Sequence, residues 1–202
     1  MYGNEQLTTD HGQFFMGTEV EKKYRVESEA ADRLRGRLRA VEAERRGEEF
    51  EVNTLYTGPG LEQLNRVLRL RRVHGGKAVF TFKESVADSS GIKHRREDET
   101  TVGDPDALAA ILDALGYTPA VVYEKRRETW LIAGVEVVVD ELPFGMFVEI
   151  EGGEESILGA EQLLELAAAE TEHKSYPQLT LEHGTRNGKL IEARFGGEHQ
   201  DV

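Results

Sequence analysis

Charged and apolar residues alternate in short segments along this chain. The first is TEVEKKYRV, where Glu19, Glu21, Lys23 and Arg25 fall in one phase and Val20, Tyr24 and Val26 in the other. A period of two marks a strand with one buried face. Five later segments repeat the pattern: Arg69 and Arg71 in RVLRLRR, Thr81 and Lys83 in AVFTFK, Arg95, Glu97 and Glu99 in KHRREDET, Lys125 and Arg127 in YEKRRET, and Glu149 and Glu151 in FVEIE. Leu68 with Leu70, Phe80 with Phe82, and Val148 with Ile150 supply the apolar phase in three of them. EEFEVNTLYTGPG reads as a strand that ends in a turn, Gly75 and Gly76 predict one hairpin, and Ala133 with Gly134 predict another. Helices are predicted from Ser28 (with Leu34, Leu38 and Val41 at helical spacing), from Asp104 and Pro105 to Gly116, and from about Glu154 to Glu170. About eight strands, mostly joined by hairpins, predict an α+β fold: an eight-stranded antiparallel closed β-barrel with helices packed outside. The charged phases would line its interior.

A lone charged doublet on a strand is usually a solvated face or a cross-strand ion pair. Here the charges are sorted. Arg69, Arg71, Lys83, Lys125 and Arg127 form a basic subset, while Glu19, Glu21, Glu149 and Glu151 form an acidic one. Residues 1–16 read as a flexible leader, 17–183 as one domain and 184–202, which lack strong periodicity, as a mobile tail. Across 202 residues the net charge is −13, which argues against an open nucleic-acid surface and allows a phosphate-rich partner only in a locally basic enclosure. There is no cysteine, so disulfides and thiolate chemistry are excluded. No apolar run reaches membrane-spanning length, and the expected location is cytoplasmic. The six histidines show no ligand spacing, and no glycine-rich phosphate loop occurs, so phosphate binding must rest on side chains.

Taken together, ExExK at Glu19, Glu21 and Lys23, the Arg69 and Arg71 pair, Lys83, RxExE at Arg95, Glu97 and Glu99, Lys125 with Arg127, Asp140, and ExE at Glu149 and Glu151 resemble the CYTH domain. That family, the triphosphate tunnel metalloenzymes, unites class IV adenylyl cyclases, thiamine triphosphatases and inorganic tripolyphosphatases. The resemblance spans roughly Gly17 to Leu181, with one departure: Thr57 follows Tyr56 where relatives often carry an aspartate.

The resemblance implies an eight-stranded tunnel that binds a linear triphosphate and one or two Mg2+ or Mn2+ ions. It makes Glu19, Glu21, Glu149 and Glu151 the main metal candidates, supported by Asp140, Glu97 and Glu99, with Glu19, Glu21, Lys23, Glu149 and Glu151 as the catalytic set. Lys23, Arg69, Arg71, Lys83, Arg95, Lys125 and Arg127 would grip phosphates, Arg25 lies in the same phase nearer the strand end, and Lys174 of the KSY element would approach the tunnel mouth or cap a helix. The chemistry agrees, since guanidinium and ammonium groups hold phosphates by charge-assisted bonds and hard cations bridge carboxylates to phosphates. Partners would be ATP, tripolyphosphate or thiamine triphosphate, with no nucleic acid and no membrane; a homodimer stays open. Likeness to the bacterial cyclase-like branch makes conversion of ATP to cyclic AMP and pyrophosphate the first expectation. Triphosphate hydrolysis is nearly equal, and a non-catalytic polyphosphate or nucleotide module is third.

Overall fold

The computed structural model describes residues 20–61, 66–86 and 94–196. The predicted leader, Glu19 and most of the loop ESVADSSGIK lie outside them. Eight long strands carry the fold: β1 (Glu21–Val26), β2 (Glu44–Thr57), β3 (Arg66–Val73), β4 (Lys77–Val86), β5 (His94–Val102), β6 (Thr118–Ile132), β7 (Val135–Leu142) and β8 (Gly145–Glu151). Three short ones follow, β9 (Glu170–Thr171), β10 (Thr185–Asn187) and β11 (Leu190–Ala193). The helices are α1 (Ser28–Ala40), α2 (Pro105–Ala114), α3 (Glu154–Leu163) and α4 (Tyr176–His183).

One sheet runs in the order β5-β4-β3-β2-β6-β7-β8-β1-β9, and its neighbours along this path are antiparallel. Hairpins account for most of the order. Gly75 and Gly76 turn between β3 and β4 with positive φ, as do Ala133 and Gly134 between β6 and β7. The predicted barrel is not seen closed: among the described residues no hydrogen-bonded pairing joins β5 to β1 or β9, and the sheet is an open path.

Alternation divides the sheet as the sequence predicts. On one face Tyr24, Trp130, Val137, Val139, Val148 and Ile150 pack with Leu34 and Leu38 of α1 and Ile157 and Ala160 of α3. Further along the same face Tyr56, Leu68, Leu70 and Ala78 pack with Leu112 of α2, with Phe80 and Phe82 beside them. Each large apolar side chain so buried contributes about 1.5–3 kcal/mol, and this is the outer face. α2 begins as predicted, with the Asp104 side chain accepting from the backbone N–H groups of Asp106 and Ala107.

Four details differ from the sequence expectation. α1 is preceded by Glu27, which caps it without a side-chain bond, so Ser28 is its first residue. α3 ends at Leu163 rather than near Glu170, because Glu165 turns into the left-handed region (φ 55°) and drops Leu164 and Leu166 into the core. No element was expected after residue 183, yet β10 and β11 form a hairpin whose β11 adds parallel to β6. Finally, not every helix lies outside. Leu55, Val121, Tyr123, Leu142 and Phe147 make an apolar patch on the inner face, and α4 covers it with Tyr176 and Leu179.

Candidate functional site

Register puts the charged phases of neighbouring strands side by side. Lys23 of β1 stands opposite Glu149 of β8, Asp140 of β7 lies between Arg127 of β6 and Phe147 of β8, and Lys125 of β6 faces Glu51 of β2. Opposed residues of an antiparallel pair share a face, so all of these meet on the inner one. They form one connected cluster. Asp140, 0% exposed, accepts from Arg127 Nε at 2.8 Å and Nη2 at 2.6 Å, and from the Tyr176 hydroxyl at 2.7 Å. Arg127 Nη2 also reaches Glu149 at 2.6 Å, and Lys23 Nζ pairs with Glu149 at 3.2 Å. Lys125 Nζ lies 3.3 Å from Glu51 and 3.6 Å from Asp140. Glu51, 1% exposed, takes a bond from Asn53 at 3.0 Å and has Arg71 Nε at 3.8 Å.

The cations outweigh burial in setting the charge of these acids. Burial alone opposes ionisation of Glu51, but Lys125, Arg71 and Arg127 hold its pKa at about 2. For Asp140 the same opposition from burial is overcome by Lys125 and Arg127, by the Arg127 hydrogen bonds and by Tyr176, again giving about 2. Lys125 is pushed below the lysine range by burial and by its neighbour Arg127, which Asp140 and Glu51 only partly offset. Burial and the Asp140 charge push Tyr176 well above the phenol range, so its hydroxyl is a donor.

A second group lies along β3, β4 and β5. Arg69 Nη2 donates to Thr81 Oγ1 at 3.3 Å, Thr81 donates to Glu99 at 3.0 Å, and Lys83 pairs with Glu97 at 2.8 Å. Glu97 and Glu99 thus stand against the basic strands rather than with the other acids. Arg95 sits on β5 opposite Ser85, and its side chain lies outside the described residues. Arg25 reaches Glu172 at 3.3 Å and stacks on Phe147 at 4.8 Å. The Lys174 ammonium is turned to Glu182 at 2.7 Å, and it is the Lys174 carbonyl that meets the cluster, accepting from Lys23 Nζ at 3.2 Å.

Glu21 and Glu151 stand opposite each other at the exposed end of the same face, one row beyond Lys23 and Glu149. Glu136 continues that row on β7. Carboxylate oxygens are what a hard divalent cation takes, so the donor chemistry fits Mg2+ or Mn2+. Among the described residues no three potential ligands converge tightly enough to hold an ion by themselves. Asp140 is committed to Arg127, Lys125 and Tyr176.

Three cluster residues escaped the sequence reading. Glu51 and Asn53 share the inner phase of β2, and that signal was available: they alternate with Phe50, Val52 and Thr54. Tyr176 belongs to the KSY element, where the resemblance gave a role to Lys174 alone; its contacts were hidden because its neighbours come from distant strands. Among the described residues the inner face also holds buried polar atoms without a hydrogen-bond partner, Glu51 Oε1, Asn53 Oδ1, Arg69 Nε and Arg71 Nε. Such groups suit a polar enclosure that takes a hydrated ligand.

An antiparallel α+β fold with basic and acidic side chains sorted on one sheet face defines the class. The family model for the CYTH domain matches residues 17–183, and the chain belongs to that family. Among solved structures, the PH1819 protein of Pyrococcus horikoshii is similar at 27% identity and a TM-score of 0.66, covering 82% of this chain and 99% of its own. A candidate adenylate cyclase of Vibrio parahaemolyticus aligns at 24% identity and TM-score 0.62, covering 80% of this chain and 96% of its own. HpAC1 of Hippeastrum, a candidate adenylyl cyclase said to reveal a dominant triphosphatase activity, aligns at 19% and TM-score 0.64, over 82% and 96%. No curated protein matches the chain.

Proposed function

We propose that this protein is a metal-dependent enzyme that acts on a triphosphate held against the inner sheet face. The observation that carries the reading is the convergence of Lys23, Lys125 and Arg127 on one buried, acid-buffered cluster. Cations so deeply buried are costly unless their charge is used. Glu51, Asp140 and Glu149 pair with them in the protein itself, and Arg69, Arg71 and Lys83 on the same face would extend the basic contacts along a triphosphate. A guanidinium has five donors, so Arg127 can keep Asp140 and still reach a phosphate oxygen.

Glu21 and Glu151, with Glu149 beside them and Glu19 one alternation earlier in the chain, would hold Mg2+ or Mn2+. The ion would supply charge neutralisation across the phosphate oxygens and help orient the reacting groups. The protein's own part is positioning and electrostatics, which suffice for much of phosphoryl transfer.

The first reading is cyclase-like: the ribose 3′-hydroxyl of ATP attacks the α-phosphorus, and pyrophosphate leaves. Its support is the resemblance to the bacterial cyclase-like branch and the candidate adenylate cyclase of Vibrio parahaemolyticus. A second reading, hydrolysis of tripolyphosphate or thiamine triphosphate, is favoured by the triphosphatase activity ascribed to HpAC1. One assay separates them. Incubation with Mg2+ or Mn2+ and, separately, ATP, tripolyphosphate and thiamine triphosphate should give cyclic AMP with pyrophosphate for a cyclase and orthophosphate for a hydrolase. No product from any substrate removes both readings.

A further inference from the structure

Tyr176, buried at the start of α4, touches the cluster at three points. Its ring centre lies 4.3 Å from Lys23 Nζ and 5.4 Å from Lys125 Nζ. Its hydroxyl donates to Asp140 Oδ2, the same oxygen that Arg127 Nη2 holds. One side chain therefore meets an ammonium from β1, an ammonium from β6, and the carboxylate that orients a guanidinium.

The tyrosine is itself held firmly. Phe147 packs edge-on at 5.4 Å and Tyr123 is tilted against it at 6.2 Å. Just before α4, the Glu172 N–H donates to the Lys23 carbonyl at 2.9 Å, and Lys23 Nζ donates to the Lys174 carbonyl. Filling the patch under α4 requires only an apolar side chain. A hydroxyl aimed at a buried carboxylate and a ring face offered to two ammonium groups do something further: they remove rotational freedom from long cationic side chains. Lysine loses much rotamer entropy when held in one conformation, so fixing it beforehand favours any ligand that needs it in place.

We propose that Tyr176 is a positioning residue of the phosphate site, fixing Lys23 and Lys125 through its ring and Arg127 through Asp140, so that three cations face one phosphate chain in a set geometry. This rests on the reading of the inner face as a triphosphate site.

The test is calorimetric binding of inorganic tripolyphosphate, with divalent metal chelated, to the full-length protein and to Tyr176→Phe, Tyr176→Leu and Leu179→Ala, with Tm recorded for each. Leu179 seats the same helix in the apolar patch and belongs to no ion pair described for the cluster. Tyr176→Phe keeps the ring and loses the hydroxyl, and should weaken binding about threefold; Tyr176→Leu loses both and should weaken it about tenfold. Leu179→Ala should lower Tm at least as much while changing affinity less than about twofold.

Affinity for Tyr176→Phe equal to that of the unaltered protein overturns the inference, and this comparison stands even where Tyr176→Leu does not fold. A Leu179→Ala loss of affinity as large as that of Tyr176→Leu also overturns it, since the role would then be support of the helix alone. Failure of the unaltered protein to bind tripolyphosphate has a different signature: it removes the triphosphate reading, and the inference with it.

Discussion

At the scale of single residues, the decisive feature is that acids and bases are buried together, so each fixes the other's charge. Glu51 and Asp140 titrate near 2, whereas their ordinary values are 4.5 and 3.8. Because the folded pKa lies below the unfolded one, their contribution to stability is fully present above the ordinary values and is lost as the pH falls toward 2. The free energy of unfolding, from urea titrations, should therefore drop by a few kcal/mol between about pH 5 and pH 2. Glu51→Gln should flatten that acid limb while lowering stability at neutral pH, since Lys125 and Arg71 lose their buried counter-charge. A profile unchanged by the substitution would show that Glu51 is not the titrating group. Alternation exposed Lys23, Lys125, Arg127 and Glu149 as a set, because period two alone places them on one side of their strands. It did not reveal that Asp140 is spoken for by Arg127 and Tyr176, since that depends on which strands become neighbours.

At the scale of elements, local signals succeeded where the chain decides its own geometry. Asp104, Pro105 and Gly116 bracket α2, and the cap bonds are made as that sequence requires. Asp104→Ala should cost about 1 kcal/mol in chemical denaturation and leave tripolyphosphate binding unchanged, because α2 packs on the outer face. A loss of binding would mean that α2 communicates with the site. Signals failed where a helix end or a short strand is set by packing. α3 stops early because Leu164 and Leu166 gain burial, and β11 exists because the edge of β6 offers it backbone partners. α4 shows the same limit. Its capping box of Ser175 and Gln178 is local, whereas its seat on the inner face depends on five residues from four strands.

At the scale of the whole molecule, the sheet separates two tasks, with apolar packing over its outer face and the charged cluster, beside the apolar patch under α4, on its inner one. If the division described for the site holds, removing divalent metal with a chelator should abolish turnover and leave tripolyphosphate bound, because the cations of β1, β3 and β6 need no metal to attract phosphate. Glu21→Gln should likewise abolish metal-dependent turnover without changing Tm appreciably, and unchanged activity would remove that residue from the metal set. The sequence by itself determined which residues share a face, since successive side chains on a strand must point in opposite directions whatever the strand's neighbours. The motifs on those strands carried the resemblance to the family that the family model matches, and the alternation put Lys23, Lys125, Arg127 and Glu149 on one face. Only the tertiary structure decided how those charges pair: that Glu51 supports Lys125, that Glu97 and Glu99 stand with the bases, and that α4 brings Tyr176 onto the cluster. Such pairings depend on strand order and register between segments far apart in the chain, and within any one segment no physical force specifies them.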